Sequence, residues 1–159
     1  MASTVTASTL TVKITESIKL NGKQQGGTSS INIASVNEIS SRILTITTTE
    51  AVIATFSSAV ASAGHYVAAD VRYMRFTNLD DTNFITLTFR NQDNDEVAIK
   101  LDAGQSFIWN GDNANGMSAV FNATEDADAA SDTAFGSLTN LQADANTGSC
   151  DLEVFIASV

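Results

Sequence analysis

An antiparallel, all-β sandwich of two packed sheets is the fold class this sequence predicts. Three observations predict it. Apolar residues alternate with polar ones at period two through most of the chain, as in strands with one face in a core. The segments between them are short and rich in Gly, Asn and Asp, which suits turns between antiparallel neighbours better than parallel crossovers. Many short amphipathic strands in one open sheet would leave an apolar face wet, whereas two sheets packed face to face bury it. At 159 residues the chain suits a single domain.

From Leu10 the even positions Leu10, Val12, Ile14, Ile18 and Leu20 share one side, with Glu16 interrupting the series. A bulge, or passage over the rim of the core, accounts for that interruption. Asn21-Gly22 supplies two residues that accept positive φ, hence a tight hairpin turn, and Lys23 to Ser30 reads as a loop or a weak returning strand. Ile31 and Ile33 open another extended piece, and Ile43 to Thr49 is β-branched and strand-like. Residues 50–63 fit two patterns. Val52, Phe56 and Val60 fall at helical spacing, while Val52 to Phe56 reads as a strand; the extended neighbours favour the strand.

Between Val71 and Asn110 the pattern is clearest. Val71 to Asn78, Phe84 to Arg90, Val97 to Leu101 and Phe107 to Trp109 are four strands separated by turns at Asp80-Asp81-Thr82, Gln92 to Asp95 and Ala103-Gly104. Connections this short predict a four-stranded meander at about 70–110. A Gly/Asn-rich loop after Asn110, an apolar piece at Met117 to Phe121 and an acidic Ala-rich segment at Glu125 to Asp132 follow, and Leu152, Val154 and Ile156 line a last strand. The expected organisation is an N-terminal arm at 1–9, mobile or in contact with a partner, and one sandwich at 10–159, with jelly-roll connections compatible with the strand count.

Charge narrows the partners. The formal net charge of −10 disfavours nucleic acid and anionic lipid. It is unevenly spread: residues 1–100 carry net −1 and residues 101–159 carry −9 with no Lys or Arg, which predicts an acidic face on one domain. No segment approaches the roughly 20 apolar residues of a membrane-spanning helix, and MASTVTASTL has neither the basic start nor the apolar stretch of a secretory signal. The absence of proline leaves strand edges to be shielded by charges, bulges, loops or a partner chain.

Residues that carry chemistry are sparse. His65 follows Gly64 in a turn, where a surface or hydrogen-bonded role outweighs that of a base. Gly104-Gln105-Ser106-Phe107-Ile108 lacks the second glycine of a nucleophile elbow. Cys150 is in phase with Leu152, Val154 and Ile156, so its thiol is expected in the core. Asp80-Asp81, Asp93/Asp95/Glu96 and Glu125/Asp126/Asp128/Asp132 offer oxygens to a cation such as Ca²⁺, but none completes a binding loop, and solvated turns are the favoured reading. No catalytic set, metal centre or cofactor is expected. Trp109 has two readings, core packing, which is favoured, and a platform for a sugar ring. Tyr73, Met74 and Phe76 put bulky groups on both faces of one strand; with Leu10, Val12 and Ile14 they are the candidates for a partner interface, unless that strand is covered on both sides within the chain.

Five stretches, LTVKITESIKLNGKQQG at 10–26, VNEISSRILTI at 36–46, VRYMRFTNLDDTNFITLTFRN at 71–91, LDAGQSFI at 101–108 and LEVFIAS at 152–158, resemble small virion structural proteins of tailed bacteriophages, particularly those of marine hosts. The resemblance carries no catalytic motif. It implies a non-enzymatic subunit, synthesised in the host cytoplasm and built in many copies into the virion. Of capsid, neck and tail, it favours a capsid decoration or cement subunit bound to the major capsid protein and to other copies of itself. On that reading the first hundred residues, with Ala2 to Thr11, contact the shell or a neighbour, and the acidic portion faces solvent. The alternative from another class is a carbohydrate-binding sandwich, Ca²⁺-assisted, used in host recognition.

Overall fold

A computed structural model describes residues 4–109 and 138–159. The strands are Ser8–Thr15 (β1), Lys19–Leu20 (β2), Lys23–Gln24 (β3), Thr28–Val36 (β4), Glu38–Ile46 (β5), Ala51–Ser57 (β6), His65–Val67 (β7), Val71–Asn78 (β8), Ile85–Asn91 (β9), Glu96–Leu101 (β10), Ser106–Trp109 (β11), Leu138–Ala145 (β12) and Cys150–Ser158 (β13). The all-β sandwich is present, and residues 51–57 are the strand rather than the helix.

One sheet has the order β11-β8-β13-β5 and the other β10-β9-β12-β6-β7. All neighbours are antiparallel except β6 and β7. Setting the short β7 aside, the eight strands from β5 onward place the first, eighth, third and sixth in one sheet and the second, seventh, fourth and fifth in the other. That wiring is a jelly roll. It replaces the meander expected at 70–110. The four strands form where expected, but of the consecutive ones only β9 and β10 are paired; β8 pairs with β11 and β13, so the chain changes sheet after β8 and again after β10. Sheets pack about 10 Å apart, a gap that about three extended residues cross, so a short connection fits a crossover as well as a hairpin.

The core lies between the sheets. Met74 and Phe76 of β8 and Leu152, Val154 and Ile156 of β13 pack with Leu87 and Phe89 of β9 and with Leu141 of β12, all buried. Burying each large side chain contributes roughly 1.5–3 kcal/mol. Phe89 meets Phe107 of the opposite sheet edge-on at 5.6 Å. Asn78 is fully buried beside the loops at one end of the sandwich; its amide donates to the Asn83 carbonyl at 2.8 Å and the Leu101 carbonyl at 3.1 Å, and its oxygen accepts from the Asp80 N–H at 3.0 Å. These bonds satisfy backbone groups that the crossovers remove from the sheets.

Residues 8–36 stand apart from the two sheets as a long ribbon, β1 paired with β4 and β2 with β3. The turn is at Asn21 and Gly22, with φ of 50° and 76°, the two positive values that a type I′ hairpin demands. Near Glu16 the regular pairing breaks. A Cβ on Gly26 would lie 2.1 Å from the Glu16 carbonyl oxygen, so only glycine permits the two backbones to pass there. At the base, Ser35 adopts φ 62° where Ser8 opposes Val36 and Leu10 opposes Ile33, which leaves one extra residue on β4. This bulge strengthens the local twist. It sits where the ribbon leaves the sandwich.

Candidate interaction surface

The outward face of the four-stranded sheet and the ribbon above it bring together part of the set proposed from sequence. Ile33 and Val36 of the ribbon bury themselves against Tyr73 and Ala157, with Leu10, Val12, Ile31 and Phe155 packed at the margin. Tyr73 and Phe155 meet edge-on at 5.9 Å beneath it. Burial raises the Tyr73 phenol above its ordinary range, and nearby Arg75 partly offsets this. Met74 and Phe76 point the other way, into the core between the sheets, and are fully buried. Strand β8 is therefore covered on both sides by its own chain. Of the six residues, only Ile14 stays exposed.

Beside the first strand of the ribbon the same face turns polar at Arg75. Arg75 donates to the Glu153 carboxylate and to the Thr77 hydroxyl, which in turn meets the Ser106 hydroxyl at 2.8 Å. The bond from Arg75 holds the Glu153 carboxyl below its usual range and raises the guanidinium in return. The pair is about 30% exposed on both sides, so screening keeps its net contribution small.

The other singled-out residues are dispersed. Trp109 is 6% exposed and lies in the core, so it offers no ring face to a sugar. His65 is half-buried in β7, its N–H bonded to the Ser62 carbonyl. It lines an open groove of about 500 Å³ with Arg42, which points inward from β5 and donates to the Ile53 carbonyl of the facing sheet. Cys150 is buried; desolvation, then the Asp80 charge and a bond to that carboxylate, push its thiol up. Asp80 itself caps the turn, accepting from the N–H groups of Thr82 and Asn83, and is held below the ordinary carboxyl range by those bonds. Asp95 is engaged by Asn91, and Glu96 by Arg90. Among the described residues no group of three or more His, Cys, Asp or Glu is placed to hold a metal ion. The loop after Asn110, the Met117 to Phe121 piece and the carboxylates Glu125, Asp126, Asp128 and Asp132 lie outside the described residues, as do residues 1–3 of the expected arm.

What the structure exposes instead is a second apolar set, absent from the sequence candidates. On the ribbon, every residue from Lys13 to Ser30 except Gly26 is exposed, Ile18 and Leu20 included. On β5, Ile39 and Ile43 face outward. The signal for Ile43 was in the sequence: Ile43 and Leu44 are adjacent apolar residues, so in a strand one of them must leave the core face. The ribbon also differs in charge from the body. It carries three lysines and one glutamate, against twelve acidic and five basic side chains on the other described residues.

No family model and no curated protein matches the chain. Among solved structures, the chain is similar to a protein of the disulfide-linked pili that form Bacillus endospore appendages. The alignment spans 100% of this chain and 95% of that one, at 10% identity and a TM-score of 0.42.

Proposed function

We propose that this protein is a non-enzymatic building block of a larger protein assembly. The observation that carries the reading is the ribbon: a two-stranded element with apolar and basic side chains at its tip, standing on an acidic jelly-roll body. A lone two-stranded hairpin is marginal in water, and exposed apolar groups on it gain when another polypeptide covers them. The mechanism is adhesion alone. Apolar contacts and hydrogen bonds at strand edges lower the free energy of the assembled state relative to the free subunits. Together with the sequence resemblance, this supports a bacteriophage virion subunit of the decoration or cement type, seated on the capsid through the ribbon side.

The carbohydrate-binding alternative loses its platform, because Trp109 faces the core. Localisation on purified virions by cryo-EM or immunogold labelling tests the proposal. It expects many copies on the outer shell with residues 8–36 toward the capsid. Absence from the particle refutes the virion role, and copies confined to neck or tail refute the decoration role.

A further inference from the structure

We propose that the ribbon tip docks on a second copy of this chain, on the outward face and free edge of β5. The proposal rests on the reading of the protein as an assembly subunit and deepens it by naming donor and acceptor.

The donor is the part of the ribbon that its own body leaves uncovered. Val12 and Ile14 border Ile108 of β11, the outermost strand of the four-stranded sheet, and the chain then runs on through Ile18, the turn at Asn21-Gly22 and back to Ser30 with its side chains in solvent. Ile18 and Leu20 are 49% and 57% exposed, and Lys13, Lys19 and Lys23 accompany them.

The acceptor follows from comparing the sheet edges. A free edge invites pairing unless it is short, charged or covered. Strand β7 has three residues and β11 four; β10 carries Glu96, bound to Arg90, and Lys100. Strand β5 runs for nine residues, pairs with β13 alone among the described strands, shares an open groove with the segment 60–66 at its other side, and presents Ile39 and Ile43 at 58% and 62% exposure. Acidic groups flank these isoleucines. Glu38 begins the strand, and Asp151 of β13 lies opposite Thr45 and accepts its hydroxyl at 3.0 Å; Glu153, opposite Ile43, is already paired with Arg75. Two isoleucines flanked by Glu38 and Asp151 match an Ile/Leu tip flanked by lysines.

The occupant is a second copy because one chain cannot bring its own two halves together. The ribbon passes over β11, and β5 is the opposite edge of the same sheet. The contact is therefore head-to-tail, generating a ring if its rotation closes and a filament if it does not. Raising salt screens the lysine–carboxylate match over about 10 Å at 0.1 M ionic strength, so association weakens as salt rises.

The test uses the full chain in sedimentation velocity, with Leu20→Glu spoiling the tip and Ile43→Glu spoiling the acceptor; both sites are exposed, and circular dichroism checks that each variant is folded. Each variant alone is expected to self-associate at least ~10-fold more weakly, on the scale of one large side chain kept in water. Mixed in equal amounts they are expected to form a 1:1 pair that does not grow, since one keeps an acceptor and the other a tip. The proposal is overturned if both variants associate like the parent, if the mixture forms no pair, or if the parent is monomeric at every concentration. A monomer in which the ribbon-tip amides resist hydrogen exchange also overturns it, by assigning the tip to another segment of the same chain. If the parent is monomeric in solution yet present on virions, the docking proposal fails and the virion role stands.

Discussion

Replacing Ile33 with alanine tests whether the ribbon is a separate unit of stability. Ile33 is 3% exposed and sits between the ribbon and Tyr73, while the main core lies on the other side of the sheet. The substitution removes three carbons, about 0.8 kcal/mol each in transfer free energy, or about 2.4 kcal/mol. Buried isoleucine-to-alanine changes span about 2–5 kcal/mol. This site belongs near the low end, because the ribbon has solvent on its far side and is free to settle. A two-stranded ribbon is marginal by itself, so a loss of that size releases it without unfolding the sandwich. About 2 kcal/mol corresponds to a roughly 30-fold rise in opening. Hydrogen exchange read by mass spectrometry should show that acceleration over residues 8–36 alone. The Tyr73 phenol, raised by burial, should fall toward its ordinary range as the ribbon lifts, which a spectrophotometric titration follows. Separate opening of the ribbon is ruled out if ribbon amides exchange only with the global transition, or if Ile33→Ala lowers the stability of the whole domain by the full amount in one step.

Ser35→Gly relieves a left-handed conformation at φ 62°, which costs a non-glycine residue about 1–2 kcal/mol, so slower exchange in the ribbon base is expected by hydrogen exchange. Asn78→Ala strips partners from the buried Leu101 carbonyl and from the part-buried Asn83 carbonyl and Asp80 N–H; at about 1–3 kcal/mol for the orphaned buried group, chemical denaturation should show a loss of about that size or somewhat more. Asp80 and Glu153 both have carboxyls held below their usual range, so each contributes stability that is present above the ordinary value of about 4 and is lost as pH falls through the depressed one. Denaturation midpoints should therefore fall on acidification below pH of about 4, and Glu153→Gln should flatten that acid limb.

The strands were legible because each is local. Leu10 to Thr15, Ile85 to Phe89 and Leu152 to Ile156 show period two within themselves, and Asn21-Gly22 marks its own turn. Pairing was not, because partners are chosen by burial across the whole chain: β8 and β9 are joined by 79–84, a length that fits hairpin and crossover alike, and β13 inserts between β8 and β5 from the far end of the sequence. Period two alone assigns the ribbon to the sandwich, since Leu10 and Val12 do meet an apolar surface. That surface is the outside of the sheet. The break at Glu16 and the lysines that follow it were the local signs that this strand leaves the body. The candidate interface failed as a patch for a simple reason: Tyr73 and Met74 are neighbours in one strand and so face opposite sides.

Coverage of the ribbon tip and of the outward face of β5 by other polypeptides is checked by hydrogen exchange compared between free subunit and assembly. Added protection is expected to concentrate in residues 13–30 and 38–46. Protection gained at neither stretch, with new shielding on β10 and β11 at the other sheet edges instead, would contradict that coverage.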